Sequence, residues 1–137
     1  MTKRDILRRT GGLLSLALPV ALVGCASGTF SYSEVTGQRF FTTNLNTFPV
    51  NISRVDGRSV LVGEPLTRVD AGVRVIEVQG PPNLTNPGDF KNITIDVKVC
   101  TRYYIVAFKP NRLESAFTPQ IDYEMPVPGC TPPAGSK

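Results

Sequence analysis

The side chains that could do chemistry in this 137-residue chain are few, and histidine is missing altogether. Without it no side chain has an ordinary pKa near neutrality, the commonest zinc ligand is gone, and neither a Ser-His-Asp nor a Cys-His arrangement can be assembled. Three cysteines remain, Cys25, Cys100 and Cys130, at spacings far from C-x-x-C. The carboxylates Glu64, Asp70, Glu77, Asp89, Asp96, Glu114, Asp122 and Glu124 are the other candidates. Two of them converging in a cleft would make a glycosidase pair, but solvated strand faces and turns account for them more simply. Asp122 and Glu124 stand two apart on a predicted strand and so share a face, yet no acidic loop of the calcium-binding kind surrounds them. No glycine loop is suited to cradling phosphate. The sequence therefore predicts a protein that is not an enzyme and takes no cofactor and no metal. What chemistry remains is that of contact. Tyr103 and Tyr104 are adjacent and on a strand point to opposite faces. One of them is expected to be exposed or to lie under the C-terminal tail, which makes Arg102, Tyr103 and Tyr104 the candidate partner-binding residues.

Cys25 is set apart by what precedes it. A basic start containing Lys3, Arg4, Arg8 and Arg9 leads into an apolar run from about Leu13, which closes on Leu22-Val23-Gly24-Cys25. The run is too short to span a bilayer, which takes about 20 apolar residues, and Gly11, Gly12 and Pro19 interrupt it. Basic flank, apolar stretch and small residues before a cut describe a secretory signal. Leu-Val-Gly-Cys resembles the lipobox of bacterial lipoproteins, which implies that Cys25 is diacylated (palmitate in many cases) and becomes the first residue of the mature chain. Arg8-Arg9 is followed by Thr10-Gly11-Gly12 rather than by bulky apolar residues, so general secretion is favoured over twin-arginine export. Acyl chains on one cysteine give stable attachment without a span. Ala26, where an aspartate would mark inner-membrane retention, points to the outer membrane facing the periplasm. The four cations of residues 1–24 against Asp5 carry +3 of the whole chain's +4, leaving about +1 on the mature part. The basic character belongs to export, and nucleic acid is not expected as a partner.

The elements that position these residues are strands. Residues 1–24 are the signal peptide and 25–37 the lipidated cysteine and spacer. Residues 38–130 form a single domain, and 131–137 a flexible tail. Gln38–Asn46, with Arg39-Phe40-Phe41-Thr42-Thr43, reads as a first strand. Val50–Val55 and Arg58–Val62 alternate on either side of Asp56-Gly57, a strong hairpin signal because both turn positions need positive φ. Ala71-Gly72 makes a second turn before Val73–Val78, and residues 80–89 are a loop. Ile93–Val99 alternates strictly and reads as half buried. Tyr103–Phe108 is apolar on both faces and suits a central strand, and Ile121–Met125 a last edge strand. Whether Cys100-Thr101-Arg102 is a tight turn or a bend within one long strand is left open by the sequence. No helical period is sustained, and strands at intervals of about ten residues indicate a sandwich or barrel. In an oxidising periplasm the even pair Cys100 and Cys130 reads as a disulfide. With Ile93 and Val99 facing the core, Cys100 would face outward, and the bond would draw the tail across the outer side of that strand.

Val55-Asp56-Gly57-Arg58-Ser59-Val60, Glu64-Pro65-Leu66-Thr67 and Ala71–Val78 together resemble a PEGA-type domain over about residues 50–108. Ala-Gly replaces the usual proline-glycine, and the loop at 79–90 is an insertion. The resemblance implies a small antiparallel β-sandwich, PEGA-like or transthyretin-like, of the kind found in envelope proteins, with no shared catalytic residues. Two functions fit: an anchored structural or assembly subunit that binds an envelope protein, or a lipoprotein that binds a glycan or peptidoglycan fragment through exposed tyrosines and the 79–90 loop.

Overall fold

The structure, a computed structural model, describes residues 31–38, 45–61 and 63–135. Among them are nine β-strands and no helix: β1 Ser33–Thr36, β2 Thr47–Pro49, β3 Asn51–Val55, β4 Arg58–Ser59, β5 Thr67–Val69, β6 Gly72–Gln79, β7 Phe90–Val97, β8 Thr101–Phe108 and β9 Thr118–Pro126. They form two sheets. In the first, β8 is central. β9 runs antiparallel along one side of it, while β1 and β2 lie end to end along the other, with Val35 beside Tyr103 and Phe48 opposite Ala107. β5 edges this sheet beyond β1. The second sheet is antiparallel in the order β4-β3-β6-β7. Val35, Tyr103, Ile105 and Ala107 from one sheet meet Ile76, Val78, Ile95 and Val97 from the other, and Val50 and Phe117 close the core. Burying each of the larger apolar side chains contributes about 1.5–3 kcal/mol against the chain entropy of a small domain.

The all-β sandwich expected from the sequence is present, and so is its strongest local signal. Asp56 and Gly57 have φ of 50° and 77°, joining Val55 to Arg58 as a two-residue hairpin. The Asp56 N–H donates to the Val75 carbonyl at 2.8 Å, and the Asp56 carboxylate accepts the Val75 N–H at 2.9 Å. A turn residue thus extends the β3–β6 ladder, and Arg74 matches its charge. β8 is buried on both faces from Tyr103 to Ala107, as its unbroken apolar run predicts.

Four expectations are corrected. Residues 33–36, expected as part of the spacer, form β1, and all four are buried, because one flank of β8 needs a partner for its N-terminal half. β1 runs parallel to β8, so the sandwich is not purely antiparallel. Of the predicted strand Gln38–Asn46, residues 39–44 lie outside the described residues, while Leu45 and Asn46 form a turn and the strand begins at Thr47. Finally, β7 ends at Val97, and Cys100 is buried in the turn that follows instead of standing on the outer face of the strand. Val99 and Cys100 form a turn, Cys100 has φ 57°, and alternation stops where the strand stops. The chain therefore turns tightly at Val99-Cys100, and Thr101 and Arg102 already belong to β8, so β7 and β8 are two strands and not one bent strand.

The sandwich has two distinct ends. The β7–β8 turn lies at one of them, beside the start of β1: the Ser33 hydroxyl donates to the Lys98 carbonyl at 2.5 Å and accepts the Thr101 N–H at 3.2 Å. This is where the described chain enters. The loops β6–β7 (residues 80–89) and β8–β9 (residues 109–117) and the turn at Leu45-Asn46 lie at the opposite end, since β7 and β8 run in opposite directions from their shared turn. Gly80 allows these loops to meet, because a Cβ there would run into the Phe117 ring.

Candidate functional site

Arg102, Tyr103 and Tyr104 lie in the first half of β8, the central strand of its sheet, and that position decides what they can do. Tyr103 points into the core and is 1% exposed. Its hydroxyl accepts the Lys98 N–H at 2.9 Å and donates to the Asp96 carbonyl at 3.4 Å, so it fastens the β7–β8 turn from inside. Tyr104 points to the other face, where the sequence suggests exposure, but is only 5% exposed. β9 accounts for part of this: the Tyr123 ring stacks on Tyr104 with centroids 4.0 Å apart and planes 15° from parallel. Offset stacking of this kind adds about 0.5–1.5 kcal/mol beyond area burial. Arg102 lies on the same face as Tyr104, its Nε 2.7 Å from the Glu34 carboxylate of β1. Its guanidinium is held above its usual range, first by a hydrogen bond to the Tyr104 hydroxyl and then, against burial, by Glu34. The three residues belong to one structural seam joining β1, β8 and β9. Of the two arrangements expected for the outward tyrosine, exposure is not found: Tyr104 is covered, in part by Tyr123 of β9.

Glu34 and Tyr123 complete this seam, and sequence reasoning misses both. Glu34 sits in a strand of four residues, too short for alternation to register, and Tyr123 becomes a partner of Tyr104 only through the β8–β9 register. That register slips by one residue between Tyr104 and Ile105, leaving Asp122 as the extra residue of a bulge.

Cys100 and Cys130 form a disulfide, with Cα atoms 5.5 Å apart. It ties the β7–β8 turn to the segment after β9 and does not lie across the outer side of β7. The Val127 N–H donates to the Cys100 carbonyl at 2.8 Å beside it. A cleft of about 450 Å³ here is walled by Val99, Met125, Val127 and Cys130. Cys25 lies outside the described residues.

Four carboxylates are drawn into separate ion pairs. Glu34, Asp56, Glu77 and Glu124 each pair with a different cation: Arg102, Arg74, Arg54 and Lys98. Asp56 is held below its ordinary carboxylate value, first by the Val75 N–H and then by Arg74. Among the described residues no group of three His, Cys, Asp or Glu side chains is placed to hold a metal ion. A second cleft of about 380 Å³ opens between the β4 and β5 edges, lined by Asp56, Arg58, Ser59, Asp70 and Arg74. Arg74 uses its donors within the fold, on Asp56, the Asp70 carbonyl and the Ala71 carbonyl.

The aromatic platform that a glycan would need is not formed by the tyrosines. Tyr103 and Tyr104 are buried, Tyr123 is stacked, and Tyr32 is half-buried with the Arg68 guanidinium 4.5 Å over its ring. Exposed large apolar side chains lie both on strands (Val73, Val75, Phe90, Ile121 and Met125) and on loops, where Leu84 and Leu113 are at the far end of the sandwich from the chain's entry. In comparisons with known proteins, no family model, no curated protein and no solved structure matches the chain.

Proposed function

We propose that this chain is a non-catalytic bacterial lipoprotein, anchored through Cys25 and serving as a structural or assembly subunit of the cell envelope that binds a protein partner. The observation that carries the reading is Leu22-Val23-Gly24-Cys25 behind a basic start and an apolar run. The Cys100–Cys130 disulfide supports it, since such a bond persists in an oxidising compartment and is rare in a cytosol. The strand β1 begins eight residues after Cys25, so the domain would sit close to its membrane, the outer membrane judged from Ala26. The lack of histidine and the engagement of Glu34, Asp56, Glu77 and Glu124 in four separate ion pairs support a binding role over a catalytic one.

The test is metabolic labelling with a palmitate analogue, followed by fractionation of membranes. The wild-type chain is expected to carry label and to stay with the membrane after a high-salt wash. Cys25→Ala should lose the label and accumulate as unprocessed precursor. Label on Cys25→Ala, or an unlabelled wild-type chain in the soluble fraction, would end the lipoprotein reading.

A further inference from the structure

The edge of a sheet presents unpaired N–H and C=O groups, a template for another strand, and folded proteins shorten, bend or interrupt it. Most edges here follow that rule. β4 has two residues, and β2 and β5 have three each. β9 carries Pro119 and Pro126 and is broken by the bulge at Asp122. β7 differs. It runs for eight residues without proline and keeps unbroken register with β6 from Phe90 to Val97. No strand among the described residues pairs with its other side. The phase of the β6–β7 ladder shows which backbone groups are left over. Just beyond the strands the Gly80 N–H donates to the Asp89 carbonyl at 2.9 Å, so bonded pairs recur at every second residue and use the odd-numbered residues of β7. The N–H and C=O groups of Phe90, Asn92, Thr94 and Asp96 therefore point away from β6. The Asp96 carbonyl meets the Tyr103 hydroxyl at 3.4 Å, and the rest have no partner among the described residues.

We infer that β7 is a self-association edge: it pairs antiparallel with β7 of a second copy about a two-fold axis through Thr94, joining the two β4-β3-β6-β7 sheets into one. The inference goes beyond the assembly reading and does not depend on the anchor. What selects a second copy is the fit of β7 to itself. Residues opposite each other in a ladder share a face of the sheet, so the axis passes through a residue and not between two. With the axis at Thr94, Thr94 meets Thr94, and Ile93 meets Ile95 on the core side. On the solvent side Asn92 meets Asp96, an amide donor against a carboxylate acceptor. Lys91 and Asp96 stand near opposite ends of β7, so antiparallel copies bring each Lys91 near the other's Asp96 and hold the two Asp96 carboxylates apart. A parallel copy would align like charges instead. An axis at Ile93 would set Asp96 against Phe90 and Lys91 against Ile95, and one at Ile95 would crowd the two Asp96 carboxylates. Val75 already lies opposite Thr94 on the exposed outer face, and this β-branched row continues into the copy. Antiparallel pairing sends the two entry ends to opposite ends of the joined sheet. Cys25 precedes Tyr32 by seven residues, a reach of at most roughly 25 Å, so two anchored copies pair on one bilayer with their strands lying along it.

The experiment is disulfide crosslinking in cells that make two full-length chains with different tags, one carrying Asn92→Cys and the other Asp96→Cys. Bonded opposite residues in an antiparallel ladder have Cα atoms about 5.5 Å apart, within reach of a disulfide. The expected product on a non-reducing gel is a dimer bearing both tags. Its yield should exceed by about fivefold or more that of two Asn92→Cys chains, or of Asn92→Cys with Val73→Cys, whose Cα atoms the register holds too far apart. Thr94→Lys in both chains puts two cations on the axis and should lower the mixed yield by about tenfold. Thr94→Val keeps a β-branched pair there and should lower it less than about twofold. Thr94→Pro removes an outward N–H without touching the β6 ladder and should act as Thr94→Lys does. Equal yields from all three cysteine pairings would overturn the inference, as would a mixed dimer that Thr94→Lys leaves unchanged. Adducts formed only with another protein, or no adduct at all, would overturn it too. Thr94 is exposed, so Thr94→Lys and Thr94→Val differ only in an outward side chain, and the Cys100–Cys130 bond in each variant verifies that folding is intact.

Discussion

At the scale of single residues, the seam beneath β9 shows how little a side chain's type says about its task until its neighbours are known. Arg102 and Tyr104 have the chemistry of a binding surface, yet they are committed to Glu34 and Tyr123. The Glu34 and Arg102 side chains are 8% and 20% exposed, so their pairing offsets a real desolvation cost. Arg102→Ala leaves a buried carboxylate without its cation and is expected to cost about 3 kcal/mol in a urea titration. Replacing both partners, Glu34→Leu with Arg102→Met, should restore most of that loss, because the cost lies mainly in the orphaned charge. A double variant no more stable than Arg102→Ala alone would show that the pair is needed for the fold in some other way. Tyr103→Phe should cost about 1–3 kcal/mol, the usual penalty for a buried group left without its hydrogen-bond partner. The group in question is the Lys98 N–H, which loses its acceptor in the β7–β8 turn. Changes at Tyr103 or Tyr104 would thus register first as lost stability, and a loss of partner binding in them would say nothing about contact.

At the scale of elements, the disulfide and the Gly80–Phe117 contact each hold a connection that strand pairing leaves loose. Cys100 and Cys130 close a loop with a sequence separation of 30, which in the chain-entropy account contributes about 3–4 kcal/mol. Reduction, or Cys100→Ser with Cys130→Ser, is expected to lower the midpoint of thermal unfolding by at least about 10 °C for a domain of this size. A shift of a degree or two would show that the β7–β8 turn and the end of β9 are already held by their hydrogen bonds. At the opposite end, Gly80→Ala drives a Cβ toward the Phe117 ring and should cost about 1–3 kcal/mol, with partial rescue by Phe117→Leu. These elements also mark what could be read in advance. The Asp56-Gly57 hairpin was legible because its signal is local: two residues that accept positive φ between two alternating runs. β8 was legible from its unbroken apolar run. β1 was not, since its burial is imposed by a strand far along the chain, with Glu34 lying beside Arg102. The burial of Cys100 in a turn escapes the sequence for a related reason: extending the alternation past Val97 overruns the end of the strand. The covering of Tyr104 escapes the sequence at the same step, because adjacency places two tyrosines on opposite faces but does not say that β9 will lie beside one of them.

At the scale of the whole molecule, charge is arranged as ties between elements. Arg54–Glu77 joins β3 to β6, Arg74–Asp56 joins β6 to the hairpin, Lys98–Glu124 joins the β7–β8 turn to β9, and Arg102–Glu34 joins β8 to β1. The chain holds no histidine, the side chain whose ordinary value lies between pH 5 and 8, and Cys100 and Cys130 are oxidised. Stability should therefore be flat across that interval and fall at both sides. On the acid side Asp56 contributes. Its folded value is lowered from an ordinary 3.8 by the Val75 N–H and Arg74, so its contribution is present above 3.8 and is lost as pH falls through the lowered value. On the alkaline side Lys98 is raised from 10.5, first by its hydrogen bond to Glu124, and Tyr123 is raised from 10.0, first by desolvation. Both contributions are complete below those ordinary values and disappear as pH rises through the raised ones. Urea midpoints measured from pH 3 to pH 11 check the shape. Asp56→Asn, which still tolerates the positive φ of the turn, should shallow the acid limb alone, and Tyr123→Phe the alkaline limb alone. A step in the midpoint between pH 5 and 8 would contradict this expectation, because the chain has no histidine to produce it.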